Sequence, residues 1–137
     1  MKQVVIATRR SEELVPFLEL NGFQVEEVGE DIYKVTRENE LPVYLSIYGN
    51  NMYFELDLGN INEIAGEELY FSLLDLNTEI LPVSFGINNS NPDDPRLVLV
   101  ESRETGDLSD QELLAVFDAL ELATDKAEAL LSKAVQN

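Results

Sequence analysis

The chain has 137 residues, 45% of them apolar, and 27 acidic against 9 basic side chains give it a net charge of −18. That length fits one domain with a packed core, and the apolar share excludes global disorder. Cys and His are both absent, which excludes a disulfide framework, a thiolate or imidazole metal site, a Cys nucleophile and the commonest general base. Nucleic acid and anionic membrane surfaces both call for abundant Lys and Arg, so neither is an expected partner. No apolar run approaches the roughly 18 residues of a membrane span, so membrane insertion is not expected. Residues 4–7 are too short a run for a signal-peptide core, and the expected location is the cytoplasm.

Residues 3–8 read as a short β-type run or a loose arm. Ser11, Glu12 and Glu13 then form a helix start, with a capping hydroxyl and acids where the helix dipole favours them. Leu14, Phe17, Leu18 and Val15 supply its apolar face. Pro16 falls in the first turns, where a missing N–H is tolerated, and Gly22 suits the left-handed position that ends a helix. Residues 23–28 and 32–38 read as strands around a Gly29-Glu30-Asp31 turn.

Residues 41–48 alternate, with Val43, Leu45 and Ile47 on one face and Tyr44, Ser46 and Tyr48 on the other. Residues 52–58 alternate again, with Met52, Phe54, Leu56 and Leu58 inward and Tyr53, Glu55 and Asp57 outward. Gly49-Asn50-Asn51 joins them with residues that tolerate positive φ. A period of two over adjacent runs predicts a half-buried antiparallel hairpin.

A second helix is predicted over 67–76, opened at Asn62 or Gly66, with Leu69, Leu73 and Leu76, and Phe71 or Leu74, toward the sheet. Residues 80–102 read as two apolar strands around an Asn/Pro/Asp-rich turn, forming a floor for the helices. Leu81, Val83, Phe85 and Ile87 share one face there, and Gly86 suggests a bulge or a close approach. Residues 97–100 are apolar on both faces, which predicts an interior strand. Ser109 and Glu112 form a capping box, with Leu108 placed to staple back. A long helix follows to about residue 133. Its seam is Leu113, Phe117, Leu120, Thr124, Ala127, Leu131 and Ala134, alternating steps of four and three. The far end is long enough to overhang the sheet and pack on a partner. The order α-β-β-β-β-α-β-β-α defines an α+β fold, an antiparallel sheet with helices on one face.

Chemistry is sparse. Glu55 and Asp57 share an outer strand face, and residues 88–94 are rich in side-chain oxygen. Both could hold a hard cation, but a solvated face and an Asx-rich turn explain them as well. The loop lacks the spacing of a calcium motif. No nucleophile–base pair stands out, so no enzyme, cofactor or metal is expected. Asp118, Glu121, Asp125 and Glu128 line one stripe of the last helix, opposed on that helix only by Lys126 and Lys133. They are either a solvated face or an acidic docking stripe. Tyr44, Tyr48 and Tyr53 on the outer face of the first hairpin either coat the sheet or form a partner or dimer surface.

The segments LNTEILPVSFGINNSNPDDPRLVLVES and DLSDQELLAVFDALELATDKAEALL resemble the C-terminal half of the type III secretion chaperone-like fold. More narrowly, LPVSFG and FDALE resemble the YjfI-like bacterial family of unknown function. The resemblance rests on packing motifs, is good over residues 67–132, and extends to the first half only in element order. It implies a small acidic chaperone- or adaptor-like module, with homodimerisation expected, that binds extended partner segments. Its YjfI-like part implies a second reading, a regulator acting in envelope stress through a coiled-coil partner like phage shock protein A. The function expected here is thus non-enzymatic binding of a basic or amphipathic protein segment through Tyr44, Tyr48, Tyr53 and the acidic stripe. Cation binding is a third reading.

Overall fold

The computed structural model describes residues 11–136, so the expected arm at 3–8 lies outside the described residues. In chain order the elements are α1 (Ser11–Leu20), β1 (Gln24–Gly29), β2 (Ile32–Thr36), β3 (Val43–Tyr48), β4 (Asn51–Asn60), α2 (Glu67–Asn77), β5 (Ser84–Asn88), β6 (Arg96–Glu104) and α3 (Asp110–Gln136). They form an α+β fold in the expected order. The six strands make one antiparallel sheet, ordered β1-β2-β3-β4-β6-β5.

Strand alternation sorts the side chains. Val43, Leu45, Met52, Phe54, Leu56 and Leu99 are buried against Leu14 and Leu18 of α1 and Leu113, Phe117 and Leu120 of α3. Leu97 is buried on the same side with Leu69 and Leu73 of α2 and the partly buried Leu130, Leu131 and Ala134 of α3. All three helices therefore cover one face. The seam of α3 faces the sheet along its whole length. Its far end does not overhang as expected, because Leu131 and Ala134 close the second cluster under α2.

Local chemistry explains the boundaries. Gly22 takes φ 91°; the N–H of Phe23 reaches the carbonyl of Leu18 at 3.1 Å, and that of Gly22 reaches Glu19 at 3.2 Å. This is a Schellman end, which needs a left-handed residue. Pro16 stands at the sixth position of α1, one turn deeper than a first-turn proline, so one carbonyl of the preceding turn goes without its helical partner. The β3–β4 turn pairs Tyr48 with Asn51 and puts only Gly49 at positive φ, 56°, as a two-residue II′-type hairpin does.

β4 runs two residues past its expected end, through a register shift between Asp57 and Gly59. Gly59 has φ 113°, which only glycine adopts freely, and its N–H donates to Asp57 Oδ1 at 2.7 Å. The sequence reading missed this bulge and expected a bulge or a close approach at Gly86 instead. There the register is unbroken, and an added Cβ would meet only a Val98 methyl at 3.7 Å.

The hairpin expected over 80–102 is shorter on its first arm. β5 begins at Ser84; residues 80–83 form a turn with a cis Leu81–Pro82 bond. Ile80 and Val83 are buried beneath that turn, whereas Leu81 is exposed rather than aligned inward. β6 lies between β4 and β5, as its two apolar faces predict, and this leaves β5 as a sheet edge.

The start of α3 is the expected capping box. Ser109 N–H donates to Glu112 Oε1 at 2.9 Å, and Glu112 N–H donates to Ser109 Oγ at 3.1 Å. Leu108 and Leu113, the N′ and N4 positions of the staple, are both buried. These bonds from the Ser109 backbone and side chain hold the Glu112 carboxyl below its usual range. Its contribution to stability is therefore present above the ordinary Glu pKa and lost as pH falls through the lower folded value. Ser109→Ala should cost about 1 kcal/mol in chemical denaturation and give a shallower acid limb. Phe117→Ala, which removes a ring 4.7 Å from Phe23 and 5.7 Å from Phe54, should cost about 3–5 kcal/mol.

Candidate functional site

The face turned away from the helices carries a row of cross-strand neighbours: Lys34, Tyr44, Glu55 and Val100. Tyr53 lies in the next row, between Ser46 and Ser102. The three tyrosines share this face but not one environment. Tyr44 is 39% and Tyr48 66% exposed. Tyr53 is half-buried, and its hydroxyl donates to Glu55 Oε1 at 3.0 Å. Burial, that bond and the Glu55 charge push the Tyr53 phenol up to about 12.

Of the carboxylates weighed as cation ligands, Glu55, Asp57 and Asp94 are occupied by protein donors. Asn88 Nδ2 donates to Glu55 Oε2 at 2.8 Å. Arg96 bridges Asp57 and Asp94, each at 3.1 Å, and Asn60 Nδ2 donates to Asp94 at 2.7 Å. The 88–94 loop is folded by its own oxygens: Asn88 Oδ1 accepts the N–H of Ser90, and Asn91 Oδ1 accepts that of Asp93. Among the described residues no group of three or more carboxylates could hold a metal ion.

The acidic stripe is split in two. Arg37, just after β2, donates to Glu121 at 2.7 Å and to Asp118 at 3.0 Å, and its guanidinium lies 4.6 Å from the Phe23 ring centroid. Partial desolvation opposes the Arg37 charge, but its bonds to Glu121 and Asp118 outweigh this and raise its pKa. Asp125 and Glu128 are exposed and form no ion pair among the described residues. Glu40 faces the same side; partial desolvation and the charges of Glu121, Asp125 and Glu128 lift its carboxyl above the usual range, against the pull of Arg37. The basic partner of the stripe was not legible because it comes from the sheet and not from the helix itself.

Two features escaped the sequence reading. Phe71 and Leu74, one or the other of which was expected to face the sheet, are 73% and 68% exposed. With 100° per residue, Leu69, Leu73 and Leu76 fix the buried stripe of α2, and positions 71 and 74 fall on the opposite side. Tyr70 of α2 and Leu81, in the turn that leads into the edge strand β5, are also exposed, and β5 carries an exposed Ile87 and no charged residue. Glu101, on the helix-covered face opposite Phe54, is buried. Its Oε2 accepts from Arg103 at 3.1 Å, and its Oε1 has no partner among the described residues.

An antiparallel sheet of this order with three helices on one face is the type III secretion chaperone-like fold. Solved structures share it at the level of fold. A chain of the heterodimeric ExoU–SpcU complex from the Pseudomonas aeruginosa type III secretion system matches with TM-score 0.68 and 16% identity, over 85% of this chain and 96% of that one. YbjN from E. coli, a candidate transcription regulator, matches with TM-score 0.70 and 15% identity over 95% and 96%. A chain of the Yersinia pestis complex of the secretion chaperone SycH with a stable fragment of YscM2 matches with TM-score 0.53 and 17% identity over 90% and 95%. No sequence-family profile matches the chain, and no curated protein does.

Tyr53→Phe should cost about 0.5–1.5 kcal/mol by removing the bond to Glu55. In the native protein this phenol favours folding fully below the ordinary value of 10.0, and that contribution is lost as pH rises through about 12. Alkaline unfolding of the variant, followed by circular dichroism, should lack that component.

Proposed function

We propose that this chain is a non-enzymatic, chaperone- or adaptor-like module that holds a basic or amphipathic segment of a protein partner. The observation that carries this reading is the apolar surface left in water around an uncharged sheet edge. Tyr70 and Leu74 of α2, which contacts β5, are exposed, as is Leu81 in the turn that leads into β5, whose own Ile87 is half in solvent. Natural proteins usually blunt an edge with charge or cover it, and β1 does so with Glu26 and Glu27. β5 has no such protection beyond one bond, from the Phe85 N–H to Asn77 Oδ1 at 2.7 Å. An extended segment can add to such an edge through main-chain bonds.

Around it, Tyr44, Tyr48 and Tyr53 would provide contact on the open face. Asp118, Glu121, Asp125 and Glu128 would attract bases, with Asp125 and Glu128 the readier two because Arg37 engages the others. Complexes of the fold relatives with protein partners support this class of function. The charge supports it over DNA binding: Arg37, Arg96 and Arg103 are each held between two carboxylates. The LPVSFG and FDALE segments support placement with the YjfI-like family inside the fold.

The test uses a synthetic amphipathic peptide with Lys on its polar positions, titrated by calorimetry. Raising salt from about 0.05 to 0.5 M shortens the Debye length roughly threefold and should weaken binding by tenfold or more. Ile87→Lys together with Tyr48→Asp should abolish it. Salt-independent affinity removes the electrostatic half of the reading, and binding unchanged by the double variant removes the sheet edge and face.

A further inference from the structure

Between α2 and the last turns of α3 runs a groove of about 640 Å³, separate from the β5 edge and the tyrosine face. Its floor is apolar, from Leu69, Leu76, Leu130 and Ala134, and Phe71 stands at its lip. Its two walls carry opposite charge. Glu68 and Asp75 line the α2 side, continued by Glu79; Lys126 and Lys133 line the α3 side. One weak pair spans the walls, Lys126 Nζ to Glu79 at 3.9 Å, with both side chains about half exposed. Lys133 forms no ion pair among the described residues. Here, in a chain of net charge −18, this lysine adjoins exposed apolar surface at Phe71.

We infer that this groove takes an amphipathic α-helix of a protein partner, whose apolar stripe is flanked by basic residues on one side and acidic residues on the other. Three observations select a helix of that composition. Both walls are helices with their main-chain groups already bonded internally, so recognition must run through side chains, which excludes strand addition here. The charges on each wall recur at seven residues, 68 to 75 and 126 to 133, which is about 10.5 Å of helix rise. A helix repeats its own charges at the same interval and can meet both walls at once, whereas an extended strand presents one face every 6.6–6.8 Å. The opposed signs of the walls then reject a helix with like charge on both flanks, as flanking charges do in coiled coils.

The test uses three synthetic helical peptides of about four turns with the same Leu stripe. The flanks are Lys on one side and Glu on the other, Lys on both, or Glu on both. Amide chemical shifts of the full chain are followed during titration. The mixed-flank peptide should bind tightest and move the amides of Phe71, Leu130 and Ala134. Lys126→Glu with Lys133→Glu, two exposed positions, should weaken it about tenfold, the sum of two exposed pairs, and turn the preference to the all-Lys peptide. Phe71→Ser, at a solvent-facing site, should weaken all three peptides alike. Tightest binding of the all-Lys peptide to the native protein would show that net charge alone governs, and overturns the inference. So does the absence of shifts at the groove, or shifts centred on β5 and Tyr48.

Discussion

The contact on which the rest of the structure depends is that of Phe117 with the sheet. Its ring meets Phe54 edge-on from the centre of β4 and tilts against Phe23, the residue that closes α1. One side chain of α3 thus ties the last helix, the first helix and the longest strand. Burial of three aromatic rings is a large favourable term, with a further 0.5–1.5 kcal/mol or so per well-placed ring pair. The seam of α3 extends the same contact in both directions. Toward its start, Leu113 and the staple residue Leu108 anchor the capping box; toward its end, Leu131 and Ala134 seal α2. Because α3 serves both clusters, the β5–β6 end of the sheet cannot lose its helix cover without disturbing the β1–β4 end.

Charge is the second constraint. A chain with 27 acids and 9 bases cannot neutralise itself, and the described arginines are placed where each settles two acids. Arg37 joins Asp118 and Glu121, Arg96 joins Asp57 and Asp94, and Arg103 joins Glu101 and Glu112. Two of these clamps fix α3 to the sheet side, one near its start and one near its middle. Exposed pairs contribute little singly. Here they also relieve repulsion that would otherwise act between α3 and its neighbours.

The parts of the fold that were legible share a physical origin: they are set by neighbours in sequence. Alternation from Val43 to Leu58, the capping box at Ser109, the left-handed Gly22 and the seven-residue seam of α3 are all local signals, and each stands in the structure. What was not legible depends on contacts between distant segments. The pairing of Arg37 with the α3 stripe spans more than 80 residues. The bulge at Gly59, where β4 shifts register against β6, likewise depends on a strand distant in sequence. Phe71 and Leu74 misled the reading because apolar residues on a helix are assigned by default to its buried stripe. Their exposure breaks the local rule, and such breaks concentrate where a surface serves something other than folding. For the candidate surfaces, residue identity was visible in the sequence, whereas which of those residues are already engaged was not.

Exposed apolar surface and extreme acidity solve each other's problem. An uncharged edge strand with an exposed Ile87, entered through an exposed Leu81, is a ready template for association. Two copies of this chain approaching through it would bring together two bodies of charge −18, and that repulsion opposes adventitious pairing at low ionic strength. A neutral or basic segment meets no such barrier. On the proposed reading, the same charge that costs the folded state some self-repulsion would make like-charged partners unfavourable as well as draw basic ones in. The groove between α2 and α3 departs from this scheme, since Lys126 and Lys133 place positive charge opposite an acidic wall and beside exposed apolar surface. A surface selected only for solubility would have no reason to separate the two signs across an apolar floor.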